Sequence, residues 1–361
     1  MPADRRRARQ AGVRALLAAE GLEALLVTHL PNIRYLTGFT GSAGLLLLRA
    51  ESAVLYTDFR YATQAPTEVG GSADIEIDSA SVWDRLKRAC AEQPRQTIGF
   101  EAHALTVRDA GRLKECAGRT APVGELVETL RVVKAPEEIE AIAAAAALAS
   151  EALAEVLPTI RAGQTELLVA SRLEAALRRR GSEWHPFQTI VASGPRAALP
   201  HAHTSQRVIE AGEFLLLDFG AQVGGYCADL TRTVVVGGRA DERQRAVYEA
   251  VRAAQARARQ DIRAGMTGRA ADALARDLLV ARGFGEAFGH SLGHGLGLEV
   301  HEAPRLSATA EGQLPVGAVV TIEPGIYLPG WGGVRLEDDI ALTADGPRGL
   351  SDGLTELVEL V

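Results

Sequence analysis

Apolar and polar positions alternate in two textures over the first 125 or so residues. A polar-flanked helix extends to about Glu20, after which short apolar runs over 22–28, 44–49 and 53–57 read as buried strands. Two further strands are expected over 74–78 and 97–101, with helices near 82–92 and 104–116. This spacing predicts a compact α/β domain over residues 1–125. It contains no Gly-rich phosphate loop and no nucleophile elbow, so its expected work is to shape a cleft or mediate assembly.

The texture changes around Leu130. Pro136, with Glu137 and Glu138 behind it, marks a helix start, and an Ala-rich apolar face carries that helix to about Leu157, just short of Pro158. A repeat then becomes visible. RAGQT at 161–165 and RAGMT at 263–267 stand 102 residues apart, and each opens a helix capped by Thr165 or Thr267. Both helices close on Arg-Gly, at 180–181 and 282–283, again 102 apart. The preceding helices, 137–157 and 242–263, form a matching pair, and a strand-rich stretch follows each half. A duplicated helix-helix-sheet domain over 126–361 is therefore expected, with its site where the halves meet.

Charge and composition narrow the function. With 39 basic and 46 acidic side chains the net charge is −7, and no long basic stripe is present, so nucleic acid is excluded as a partner. The longest aliphatic run, 141–149, is too short to span a bilayer, and the Arg-rich start, Arg5 to Arg9, reads as a solvated helix face. Cys90, Cys116 and Cys227 are widely spaced without a CxxC, which suits a reducing cytoplasm.

Chemistry concentrates in the repeated domain. Residues 290–304, HSLGHGLGLEVHEAP, set His290, His294 and His301 among Gly293, Gly295 and Gly297, glycines that allow positive φ and close approach. LLLDFGAQVGGYCADLTRT carries Asp218 and Asp229. A hairpin folded about 223–224 would set these two directly opposite each other, and their apolar flanks predict burial. TIEPGIYLPGWGGVRLEDD places Glu323 and Glu337 symmetrically about Gly330, with Arg335 on the face of Glu337. Four buried carboxylates would repel, and with one imidazole they make a ligand set for two divalent cations such as Mn²⁺, Co²⁺ or Zn²⁺. Two such ions can share a bridging water and lower its pKa.

These motifs, DFG, ADLTRT, GHGLG, TIEPGIY and VRLEDD, resemble in order and context those of the pita-bread metallopeptidases. The α/β segment before them is similar to the N-terminal domain of the creatinase, prolidase and aminopeptidase P branch. The resemblance implies an α+β fold with a creatinase-type domain ahead of a pita-bread catalytic domain. It implies that Asp218, Asp229, His294, Glu323 and Glu337 hold two metal ions, Mn²⁺ foremost. Asp229 and Glu337 would bridge them, and Glu323 would also accept the proton of the attacking water. His201 and His301 are implied at the scissile bond, and His290 with Arg335 on the substrate side. The family often has glycine after His201. Here Ala202 follows and His203 comes two places on, so both imidazoles are candidates. His29, His103 and His185 are given only packing or solvent contact.

A bond to proline lacks the N–H that ordinary peptidases grip. The reading is an exopeptidase that removes the residue ahead of proline, an Xaa-Pro aminopeptidase acting as a cytoplasmic homodimer on proline-containing peptides. No carboxylate clamp beyond Arg335 and Arg196 is evident, which tilts the reading toward aminopeptidase P over prolidase, the dipeptide-restricted alternative. A creatinase-like hydrolase and a non-catalytic binding module are rivals that the complete ligand set disfavours. Tyr226, Phe187, Tyr327 and Trp331 are candidates for the proline pocket on aromatic character alone.

Overall fold

The computed structural model describes residues 3–78, 81–351 and 353–361. The chain divides into two compact units, Met1–Arg131 and Val132–Val361.

The first unit runs α1 (Ala3–Ala19), β1 (Ala24–Val27), α2 (Leu30–Thr37), β2 (Leu45–Arg49), β3 (Ala53–Asp58), α3 (Gln64–Val69), β4 (Asp74–Asp78), α4 (Val82–Ala91), β5 (Thr97–Glu101), α5 (Val107–Cys116), β6 (Arg119–Val123) and α6 (Leu126–Arg131). Its strands form one mixed sheet in the order β4-β3-β2-β1-β5-β6. The five strands expected from apolar runs are present. Missing from the expectation are α2, α3, α6 and β6. Strand β6, RTAPV, lies at the sheet edge, where Pro122 is tolerated and the apolar signal is weak. Helix α6 packs on α1 and buries Val127, so it belongs to this unit rather than to a second one starting at 126.

The second unit runs α7 (Pro136–Val156), α8 (Glu166–Arg180), β7 (Ile190–Ser193), β8 (Glu213–Val223), β9 (Tyr226–Val236), α9 (Glu242–Asp261), α10 (Gly268–Ala281), β10 (Gly293–Gly295), β11 (Glu302–Leu306), β12 (Val319–Ile322), β13 (Gly325–Leu328), β14 (Gly332–Arg335), β15 (Asp338–Thr343), β16 (Gly346–Gly349) and β17 (Val358–Leu360). The duplication appears as expected. Thr165 accepts from the Leu168 amide at 3.2 Å and Thr267 from that of Ala270 at 3.1 Å, and left-handed Gly181 and Gly283 follow the two helices.

Each helix pair covers one sheet. Leu215, Leu217 and Phe219 of β8 and Ala228 and Leu230 of β9 pack with α7 and α8 in one core. Helices α9 and α10 pack with Val320, Ile322 and Ile340 in the other. By the two-residue alternation of a strand, Asp218 and Asp229 point away from the α7–α8 core, and Thr321 away from that of α9 and α10. Helix and following turn, Pro136–Thr159, form the one stretch among the described residues long and apolar enough to cross a membrane. Its apolar side, including Ile142, Ala145, Ala149 and Leu153, is buried in the unit, as befits a core helix.

Candidate metal centre and its cavity

Two hairpins deliver the acids. In β8–β9 the ladder pairs Asp218 with Thr231 and Gly220 with Asp229, so the two aspartates are diagonal neighbours on one face. The direct pairing expected from the sequence is corrected by two residues. Gly224 and Gly225, with φ of 58° and 81°, form a two-residue turn, which centres the hairpin between them. In the second half, Ile322 pairs with Asp338 and Gly325 with Arg335, a single register centred on Gly330 as expected. Glu323 and Glu337 lie between these two ladders, opposite each other. A one-residue bridge from Glu337 to Thr231 joins the two hairpins.

The glycines of residues 290–304 act by close approach alone. None of Gly293, Gly295 and Gly297 has left-handed backbone. A Cβ on Gly293 would strike the Thr321 carbonyl, and one on Gly295 that of Ala303. They let β10 lie flat between its neighbours with His294 at its centre. The His294 Nδ1 is 3.0 Å from the Gly295 carbonyl oxygen, which can only accept, so Nδ1 carries the proton. Its Nε2 lone pair then faces Glu323 Oε1 at 3.4 Å and Asp229 Oδ2 at 3.9 Å.

Asp229, His294 and Glu337 each offer a ligand atom within 4.8 Å of the others, and all three are buried. Asp218 and Glu323 line the same cavity of about 370 Å³. Asp229 Oδ1 is buried without a hydrogen-bond donor, and Oδ2 looks toward His294. Thr231 donates to Glu337 at 2.5 Å, and Thr321 to Glu323 at 3.2 Å while accepting from the His294 amide. The Asp229 amide donates to Asp339. Neither threonine nor Asp339 was singled out from sequence, although all three stand inside the quoted motifs.

Charge does not balance in this cavity. Burial, reinforced by Glu337, Asp218, Asp339 and Glu323, holds the Asp229 carboxyl well above the usual range, and burial with Glu323 and Asp218 does the same for Glu337. Burial and then Asp218 push Glu323 up to about 8, against the pull of Arg335 and Thr321. Burial takes His294 down to about 4. Among the described residues, Arg335 is the buried guanidinium that lines the cavity with these acids. It contacts Asp218, donates to Thr231 at 3.1 Å, and against the cost of burial is kept protonated by Tyr327 and the acids. Four carboxylates against buried Arg335 and exposed Arg305 leave the cavity short of positive charge, and an unsatisfied Asp229 oxygen points to where it is missing. The donor set fits hard or borderline divalent ions.

The remaining site residues divide. His201, His203, His290 and His301 all line the cavity. The rings of His294 and His301 are 4.4 Å apart. His203 is drawn toward Gln188, with Nδ1 3.3 Å from Oε1, whereas His201 is close enough to His290 and His301 to help depress both their pKa values, after burial. His290 donates from Nδ1 to the Ser291 carbonyl at 2.8 Å and accepts from Tyr327 at 2.9 Å, and burial brings it down to about 4. Tyr327 in turn accepts from Arg335 at 2.9 Å. Arg335, expected on the substrate side, lines the cavity wall but is spent on Asp218, Thr231 and Tyr327. Arg196 pairs with buried Glu166 and does not line the cavity. Arg305, missed from sequence, does line it, exposed and with no carboxylate partner among the described residues. Of the four aromatic candidates only Phe187 reaches the cavity. Tyr226 donates to Glu138, and Trp331 packs on Phe214.

Residues 140–344 match metallopeptidase family M24, and residues 9–133 match the creatinase/prolidase N-terminal domain. The chain belongs to metallopeptidase family M24. It is a hydrolytic peptidase of the pita-bread type, with the creatinase-type domain in front, as the motifs implied. The chain is 42% identical to uncharacterized peptidase YqhT of Bacillus subtilis over 96% of its own length and 99% of that relative. An Xaa-Pro dipeptidase structure from Bacillus anthracis superposes with a TM-score of 0.95 at 40% identity, covering 99% of this chain and 100% of that one. An X-Pro aminopeptidase structure from Thermotoga maritima gives 0.89 at 37% identity, covering 97% and 99%.

Proposed function

We propose that this M24 peptidase hydrolyses the bond preceding proline and releases the free N-terminal residue, with Xaa-Pro dipeptides as its principal substrates. The observation that carries the reading is the convergence of Asp218, Asp229, His294, Glu323 and Glu337 on one cavity, with a buried Asp229 oxygen lacking any donor. These five side chains would hold two divalent ions, Mn²⁺ first among them. When bound, such ions lower the pKa of a shared water and polarise the scissile carbonyl.

The chain's own groups supply the rest. Glu323 takes the proton of the attacking water. His301 and His201, at the open side of the cavity, stabilise the tetrahedral oxygen and return a proton to the departing proline nitrogen. His290 stays neutral beneath them, fixed by Tyr327. Phe187 offers a flat apolar wall to a proline ring, held close because Gly220 opposite Asp229 has no side chain. Arg305 is free to clamp the terminal carboxylate of a dipeptide, a role that the buried Arg335 cannot fill. This turns the balance from the aminopeptidase P reading toward prolidase. Similarity to dipeptidase and aminopeptidase structures alike supports the shared chemistry and leaves peptide length to experiment. We further take the enzyme to act as a homodimer in a reducing cytoplasm, in keeping with its three free cysteines.

The test compares an Xaa-Pro dipeptide with an Xaa-Pro-Xaa tripeptide, in the wild type and in Arg305→Ala. The dipeptide should be preferred, and Arg305→Ala should raise its KM by about tenfold or more, as expected for a lost charge-assisted contact, with little change for the tripeptide. Equal or better tripeptide turnover with no effect of Arg305→Ala would return the assignment to aminopeptidase P.

A further inference from the structure

Five of the eight histidines line the cavity. His29 and His103 belong to the N-terminal unit, and there they meet Glu128. Strands β1 and β5 are parallel neighbours, so the segments leaving their C-terminal ends lie side by side. One leads through His29 into α2 and the other through His103 toward α5. Helix α6, packed on α2, adds Glu128. A ligand atom from each of the three residues lies within 4.8 Å of the other two. His103 Nε2 is 3.0 Å from Glu128 Oε1, and the two imidazole rings stand edge to face at 5.5 Å.

The surroundings are fixed and hold two carboxylates, Glu101 and Glu128. Buried Glu101 accepts from the amides of Thr28 at 2.7 Å and His29 at 2.8 Å, and from the Asn32 side chain at 2.6 Å. This anchors the loop that carries His29 and offsets the positive end of α2, which would otherwise repel a cation. Asn32 also donates to Glu128 Oε1 at 2.5 Å and accepts from Arg131 at 2.7 Å. Glu128 Oε2, by contrast, is buried with no hydrogen-bond donor. Arg131 is thus tied through Asn32 to both carboxylates.

We propose that His29, His103 and Glu128 form a metal site in the N-terminal unit for one borderline divalent cation of the Zn²⁺ class, with water completing the shell on the exposed side of His103. Two imidazoles and one carboxylate suit Zn²⁺, Co²⁺ or Ni²⁺ and are poor for Ca²⁺ or Mg²⁺. Donors around a metal at roughly 2.1 Å stand about 3–3.5 Å apart, a separation that His103 and Glu128 already have. Side-chain rotation of His29 closes the remainder. A bound ion would tie together the two loops and α6 at the strand ends, a structural role independent of peptide hydrolysis.

The test titrates the untagged full chain with Zn²⁺ alone under equilibrium dialysis, and compares it with His103→Gln and with His29→Gln, His103→Gln together. The wild type should bind one more Zn²⁺ per chain than either variant, and the difference should persist in an Asp229→Asn, Glu337→Gln background where the catalytic cavity is impaired. Zn²⁺ should raise Tm in that background and not when both histidines are replaced, and peptidase activity of His103→Gln should equal that of the wild type. Equal Zn²⁺ stoichiometry with and without the two histidines would overturn the proposal and leave His103–Glu128 as an ordinary surface ion pair. Failure of the peptidase reading would show instead in the cavity variants.

Discussion

The two halves of the catalytic unit deliver two acids each, and they do so by different backbone means. In the first half an uninterrupted eleven-residue ladder carries Asp218 and Asp229 on one face, diagonal across β8 and β9. In the second half Glu323 and Glu337 sit in a gap between two ladders that share a single register. Regular pairing fixes the short aspartates tightly. The gap gives the longer glutamates freedom, which threonines then restrict: Thr321 holds Glu323 and Thr231, reaching over from the first half, holds Glu337. The same donor set is reached once by sheet geometry and once by side-chain bracing.

The largest effect expected from breaking this pairing is loss of a ligand. Asp229→Asn, from the rigid half, and Glu337→Gln, from the braced half, should each abolish turnover in steady-state assays with the circular dichroism spectrum retained. Retained activity in either would remove that half from the chemistry. Arg335 distinguishes the halves next. It comes from the second hairpin and neutralises Asp218 of the first, so Arg335→Leu leaves a buried charge unpaired and should destabilise the metal-free protein by about 3 kcal/mol in urea melts. With divalent ions added, the loss should shrink, because Asp218 regains a counter-charge.

The pH dependence follows from His290. Its pKa of about 4 lies below the ordinary 6.5, so the unfolded chain binds the proton more readily. The stability it contributes is complete above about pH 6.5 and is lost as pH falls through 6.5 toward 4. At pH 5 this loss amounts to about 2 kcal/mol. Chemical melts of metal-free wild type and His290→Asn at pH 7 and pH 5 should show a loss smaller by this amount in the variant, which keeps the similar loss due to His294, also brought down to about 4 by burial. The smallest effect tests the bracing. Thr321→Val and Thr231→Val should each cut activity or metal affinity by roughly 10- to 100-fold, as for residues that orient ligands. Neither should match a lost ligand.

How far the sequence revealed this site depended on how directly spacing translates into geometry. The second hairpin was legible because Glu323, Gly330 and Glu337 are symmetric in number and the structure keeps that symmetry through two ladders. The first was out of register by two residues because the turn is made by Gly224 and Gly225, one position beyond the expected centre at 223–224. The helix repeat was legible through Thr caps and Gly ends, which act locally. Bracing by Thr231, Tyr327 and Asp339 was not, since each meets its partner across the fold. Arg335 and Arg305 illustrate the same limit. Arg335 lies inside a site motif and Arg305 directly after one, and only packing separates the buried one that steadies Asp218 from the exposed one proposed for substrate. In the N-terminal unit the short helix α2 and edge strand β6 carry too few apolar positions to establish a period, and His29 and His103, far apart in sequence, meet only because β1 and β5 are neighbours.

The most direct test of the central claim is anomalous diffraction from crystals of the full chain grown with Mn²⁺. The account predicts two strong peaks ringed by Asp218, Asp229, His294, Glu323 and Glu337. A cavity with no peak, its acids satisfied by Arg335 and protons alone, would contradict it.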